Sequence, residues 1–86
     1  MVRELGYHFV NEGKLDEAIK LFKYGTTLYP EKPDAYNGLA YGYEQSEKYE
    51  ESLAQVNKAL ALSGQEYAGY EVYLARKERL LKLLAQ

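Results

Sequence analysis

The chain has no cysteine and no tryptophan, two prolines, and no long apolar run. Each scarcity excludes something. Without cysteine there is no disulfide and no thiolate metal site, which fits a reducing compartment. No apolar stretch approaches the ~20 residues that a membrane-spanning helix needs. The N-terminus also lacks the charged-then-apolar pattern of a secretory signal. The expectation is a soluble, cytoplasmic protein with no membrane partner. An excess of one charge is missing as well. Eleven basic and thirteen acidic residues give a formal net charge of −2, so there is no basic field to recruit nucleic acid. Chemistry is scarce too. No glycine-rich phosphate loop occurs. The hydroxyls outside tyrosine (Thr26, Thr27, Ser46, Ser52 and Ser63) have no histidine placed by sequence to activate them. The chain is expected not to be an enzyme and to need no cofactor.

Tyrosine, by contrast, is abundant, at 10 of 86 residues. It combines apolar area with a hydroxyl that seeks a partner, which suits helix interfaces and binding surfaces alike. The apolar fraction of 47% is ordinary for a folded domain. Eighty-six residues make one small domain burying roughly 60–65% of its unfolded surface.

The periodicity is helical. Val2, Leu5, Phe9 and Val10 form an apolar stripe over residues 2–11, which Gly13 can stop in a left-handed conformation. Residues 15–28 form a second helix with Ala18, Ile19, Leu21, Phe22 and Gly25 inward and Asp16 and Glu17 in its first turn, where acids suit the helix dipole. Pro30 and Pro33 bracket a turn. Residues 34–45 and 49–62 repeat the two patterns, and Gly64 ends the fourth helix. A fifth helix is expected from about Gln65 to Leu84, with Tyr70, Tyr73, Leu74, Leu80, Leu81 and Leu84 on a broad face interrupted by Lys77.

The two halves echo each other at 34 residues. Leu5-Gly6 returns as Leu39-Ala40, Phe9 as Tyr43, Ala18 as Ser52, Phe22 as Val56, Gly25 as Ala59 and Pro30 as Gly64. Such a period signals stacked helical hairpins, each too small to bury its own apolar face. Glu47 stands where the first hairpin has Gly13. A left-handed conformation there costs about 1 kcal/mol without glycine, so the second turn is expected to be the more strained.

These residues resemble the tetratricopeptide repeat (TPR). Leu5, Gly6, Phe9, Ala18, Phe22, Gly25 and Pro30 fill its pattern in the first unit. Tyr36, Leu39, Ala40, Tyr43, Ser52, Val56, Ala59 and Gly64 fill it in the second, with Ser52, Val56 and Gly64 as departures. The resemblance implies an all-α fold of antiparallel hairpins stacked as an α-α superhelix, with five helices. Repeat one would span 1–32, repeat two 33–64, and residues 65–86 would form a capping helix. It also implies a protein–protein interaction scaffold that holds a peptide or partner helix in a concave groove. The matching groove positions are Arg3, Tyr7, Val10, Asn11, Asn37, Tyr41, Glu44 and Gln45, with Glu71 and Ala75 beyond them. Tyr7 and Tyr41, one repeat apart, should stack as an aromatic pair, or else simply cover neighbouring helices. Of the residues that make a carboxylate clamp in one TPR subfamily, only Arg3 fits. Tyr7, Gly38, Ala68 and Val72 fill the other places.

Three lesser features have blander readings. His8 shares a helix face with Glu4 and Glu12, but a lone histidine with two carboxylates lacks the ligands of most zinc sites, so no metal is expected. Arg76, Lys77, Arg79 and Lys82 make a basic end on the last helix, which is expected to be a solvated face. Leu80, Leu81 and Leu84 extend beyond the repeats they could cap. They either fold back onto the preceding helix or form a strip for self-association as a homodimer. A self-associating structural module, or a non-catalytic appendage of a larger protein, is therefore the alternative to the peptide-binding scaffold.

Overall fold

In a computed structural model, residues 2–86 are described, with their side chains from Glu4 onward. Among them are five α-helices and no strand: α1 Val2–Asn11, α2 Leu15–Leu28, α3 Pro33–Gln45, α4 Tyr49–Ser63 and α5 Tyr70–Leu84. Consecutive helices pack on one another and α1 also meets α3, giving a stack of antiparallel hairpins about 32 × 31 × 17 Å.

The two hairpin turns are built alike. The Gly13 N–H donates to the Val10 carbonyl at 3.0 Å and the Lys14 N–H to the Phe9 carbonyl at 2.8 Å. Thirty-four residues later the Glu47 N–H donates to Glu44 at 3.0 Å and the Lys48 N–H to Tyr43 at 2.9 Å. This bond pair satisfies carbonyls at a helix end but needs a left-handed residue at the crossing point. Gly13 has φ 78° and Glu47 has φ 62°; Glu47 is the one non-glycine with positive φ among the described residues. The strain expected at the second turn is present. Pro33 opens α3 at its first position, where the missing N–H costs nothing.

The interior consists of two adjoining clusters. Ala18, Ile19, Phe22 and Leu39 are buried, with Tyr7, Phe9, Val10, Tyr41 and Tyr43 packed around them. Ala40, Val56, Ala59, Tyr73 and Leu80 form the other, with Tyr36, Tyr49, Leu53 and Leu60. Small residues give the first cluster its shape. A Cβ at Gly6 would lie 2.6 Å from the Phe22 ring, and one at Gly38 or Gly42 would lie 3.1 Å from it. Phe22 therefore fills the space that three glycines leave on α1 and α3. In the second hairpin the Ser52 hydroxyl, fully buried, donates to the Ala40 carbonyl at 2.7 Å.

Two expectations need correction here. The fifth helix starts at Tyr70 rather than Gln65. After Gly64, at φ 69°, the chain makes turns in which the Tyr67 N–H donates to Gly64 and the Tyr70 N–H to Tyr67. Tyr67 stacks near Tyr73, with ring centroids 6.2 Å apart. Leu80 is wholly buried within the chain, so it belongs to the core and not to an exposed strip; Leu81 and Leu84 are exposed.

Candidate functional site

Side chains from α1, α3 and α5 meet on one face, and the polar chemistry of the chain concentrates there. Tyr7 on α1 and Tyr41 on α3 touch edge-to-face, with centroids 5.0 Å apart and planes at 65°. Behind them Tyr7 makes a second edge contact with Phe22 at 5.4 Å, which ties the pair to the core. Edge-to-face contact suits the ring quadrupoles better than a flat stack.

The Arg76 guanidinium of α5 lies 5.5 Å from the centroid of the Tyr41 ring. Its Nε donates to Asn37 Oδ1 at 3.0 Å and its Nη1 to Glu44 Oε1 at 2.5 Å. Arg79, one turn on, donates from Nε to Glu44 Oε2 at 2.7 Å and from Nη2 to Oε1 at 3.0 Å. Glu44 thus holds two guanidiniums with a side chain only 11% exposed. The hydrogen bond from Arg79, aided by the charges of both arginines and opposed by burial, keeps its carboxyl below the ordinary value. At the other end of α3 the Tyr73 hydroxyl donates to Asp34 Oδ1. Burial first, and then the Asp34 carboxylate, push the Tyr73 phenol far above its usual range.

Of the groove positions expected from the sequence, Tyr7, Asn37, Tyr41 and Glu44 come together. Val10 packs against the first core cluster, while Asn11 and Gln45 are exposed at the helix ends. The Arg3 side chain lies outside the described residues. Sequence reasoning missed Arg76 and Arg79 and named Glu71 and Ala75, which are exposed. Tyr73 is buried where the echo places it, 34 residues after Leu39, so the register of the repeat is kept. Arg76 and Arg79, which the run of basic residues marks as a solvated face, instead bond to side chains of α3. The signal was available: Tyr73 and Leu80, seven residues apart, mark the buried seam, and Arg76 lies between them.

No family profile matches the chain. It is similar to tetratricopeptide repeat protein 36 of Caenorhabditis elegans, at 41% identity over 51 residues. That match covers 59% of this chain and 28% of the relative, so the chain spans just over a quarter of that protein's length. A relative of this kind, the 34-residue echo and five stacked helices agree. This is a TPR-like domain. Its His8 lies beside Glu12, at 3.4 Å, on an exposed helix surface. No group of three histidines, cysteines or acids among the described residues is placed to hold a metal. No helix among them is long and apolar enough to cross a membrane. Elsewhere on the domain a shallow recess of about 280 Å³ lies between Pro30, Tyr36, Lys58, Ala61 and Leu62, with none of the residues above in it.

Proposed function

We propose that this chain is a non-catalytic interaction module that binds an extended peptide or partner helix along the α1–α3–α5 face. Residues 1–32 and 33–64 act as two repeats and residues 65–86 as the cap. The observation that carries this reading is the Tyr7–Tyr41 contact, in which equivalent residues of two hairpins meet and are anchored on Phe22. Aromatics held this way bury a ligand side chain with little loss of their own freedom. Asn11 and Gln45, exposed at matching positions of the two hairpins, offer amide groups for a partner's backbone.

A pull-down with the isolated domain, repeated with variants, tests the reading. The double variant Asn11→Ala/Gln45→Ala should weaken capture of the partner while shifting the melting temperature little, because both side chains lie outside the core. Tyr41→Ala should weaken capture by more than its loss of stability accounts for. A captured partner that binds all variants as it binds the parent would reject the face. The second reading, self-association through the terminal helices, rests on the exposed Leu81 and Leu84 of α5 and Leu5 of α1. A strictly monomeric mass over a concentration range removes it.

A further inference from the structure

Building on the reading of the α1–α3–α5 face as a peptide site, we propose that its partner is an acidic segment whose carboxylate seats on Arg79, beside Glu44. The contacts run in a line: Tyr7 to Tyr41, Tyr41 to Arg76, Arg76 to Glu44, and Glu44 to Arg79. An aromatic floor is thus followed by two guanidiniums that share one carboxylate. The charge at that end is not balanced. Residues 76–82 hold four cations, Arg76, Lys77, Arg79 and Lys82, against Glu78, and Glu44 supplies the one carboxylate bonded to them among the described residues. Asp34 is ten residues away along α3 and is engaged by Tyr73.

Two kinds of charged partner could use this end, and they differ in what they must displace. An arginine-bearing segment would have to expel Arg76 from Asn37, Tyr41 and Glu44, exchanging one guanidinium for another that is not tethered. An acidic segment displaces nothing. A guanidinium carries five N–H donors. Among the described residues Glu44 takes two of those on Arg79, leaving three on a side chain that is 52% exposed. Addition of an anion to a cationic pair also gains the planar, charge-assisted geometry that arginine offers carboxylates. The occupant that fits is a segment with an apolar side chain for the tyrosines and an aspartate or glutamate for Arg79.

The test is a phage-displayed library of random dodecapeptides panned against the domain, followed by synthesis of an enriched peptide and its amide counterpart (Asp→Asn, Glu→Gln). Enriched peptides should carry more acids than the unpanned library. Fluorescence anisotropy should show the amide peptide binding about tenfold more weakly, as expected for loss of one charge-assisted bond. Arg79→Gln, which also gives up its bonds to Glu44 and so lowers the melting temperature, should weaken the acidic peptide by a similar factor when titrated well below that temperature, and Arg79→Lys should restore part of the loss. Enrichment of neutral or basic peptides, or equal binding by Arg79→Gln, overturns the proposal. If such neutral peptides still lose affinity with Tyr41→Ala, the face stands and only its acidic preference falls. Absence of any enrichment overturns both.

Discussion

The α1–α2 and α3–α4 hairpins turn in the same way and fill their interiors with different side chains. Where the first has Gly6 and Phe22, the second has Ala40 and Val56. A methyl is gained on one helix and most of a ring is lost from the other, so each pair fills its own gap. The larger difference lies on the outer face. Leu39 is 4% exposed because α2 packs before α3 and α4 after it, whereas its counterpart Leu5, on α1, is 47% exposed. One residue type at one repeat position is core in the second hairpin and surface in the first. Position in the stack therefore decides what a side chain contributes, and the repeat pattern alone does not.

Replacing both leucines should separate these effects most clearly. Leu39→Ala removes buried methyl groups from a well-packed site and should cost about 2–5 kcal/mol. Leu5→Ala should stay within about 0.5 kcal/mol, as for an exposed position. Urea titrations of the two variants measure the difference. Equal losses would mean that Leu5 is covered in solution by something beyond the described contacts.

The turns offer a smaller effect with opposite signs. Both use the same pair of hydrogen bonds around one left-handed residue, which is a glycine in one hairpin and a glutamate in the other. Gly13→Ala should cost about 1–2 kcal/mol, because a Cβ is placed in a conformation that disfavours it. Glu47→Gly should stabilise by up to about 1 kcal/mol, less whatever flexibility glycine adds to the unfolded chain. For a domain of this size that corresponds to a rise of roughly 4–8 °C in melting temperature per kcal/mol. A lower melting temperature for Glu47→Gly would show that the glutamate side chain makes a compensating contact.

The first four helices were legible in the sequence to within one residue at each end, because glycine, proline and the apolar spacing mark them locally. The strain at Glu47 was legible for the same reason: the echo aligns it with Gly13. The Tyr7–Tyr41 contact followed from the period, since residues one repeat apart on neighbouring helices face each other. The position of α5 did not follow. Beyond Gly64, residues 65–69 hold no proline to mark the turns that delay the start of α5. The basic run marks Arg76 and Arg79 as a solvated face, and spacing leaves Leu80 open between folding back and an exposed strip; its burial decides for folding back. Long-range pairs such as Arg76 with Asn37 and Glu44 leave no trace in local spacing.

The smallest contrast is at the tight crossing of the two helices in each hairpin, where Ala18 corresponds to Ser52. The Ser52 hydroxyl donates to the Ala40 carbonyl, and the matching carbonyl in the first hairpin belongs to Gly6. Ser52→Ala loses a buried hydrogen bond worth about 0.5–1.5 kcal/mol. It regains a few tenths of a kcal/mol, roughly, from alanine's better helix propensity. The Ala40 carbonyl still has its helical N–H, so no acceptor is orphaned and the net loss should be about 0.5 kcal/mol. The reciprocal change is the sharper probe of equivalence. Ala18→Ser places a hydroxyl where Gly6 offers a carbonyl, and if the crossings share one geometry the new bond forms and stability changes by less than about 1 kcal/mol. If Phe22, seated between Gly6 and Gly38, has pushed the first pair of helices apart, the hydroxyl is buried without a partner. Ala18→Ser then costs about 1–3 kcal/mol, and the two hairpins share a turn but not a crossing.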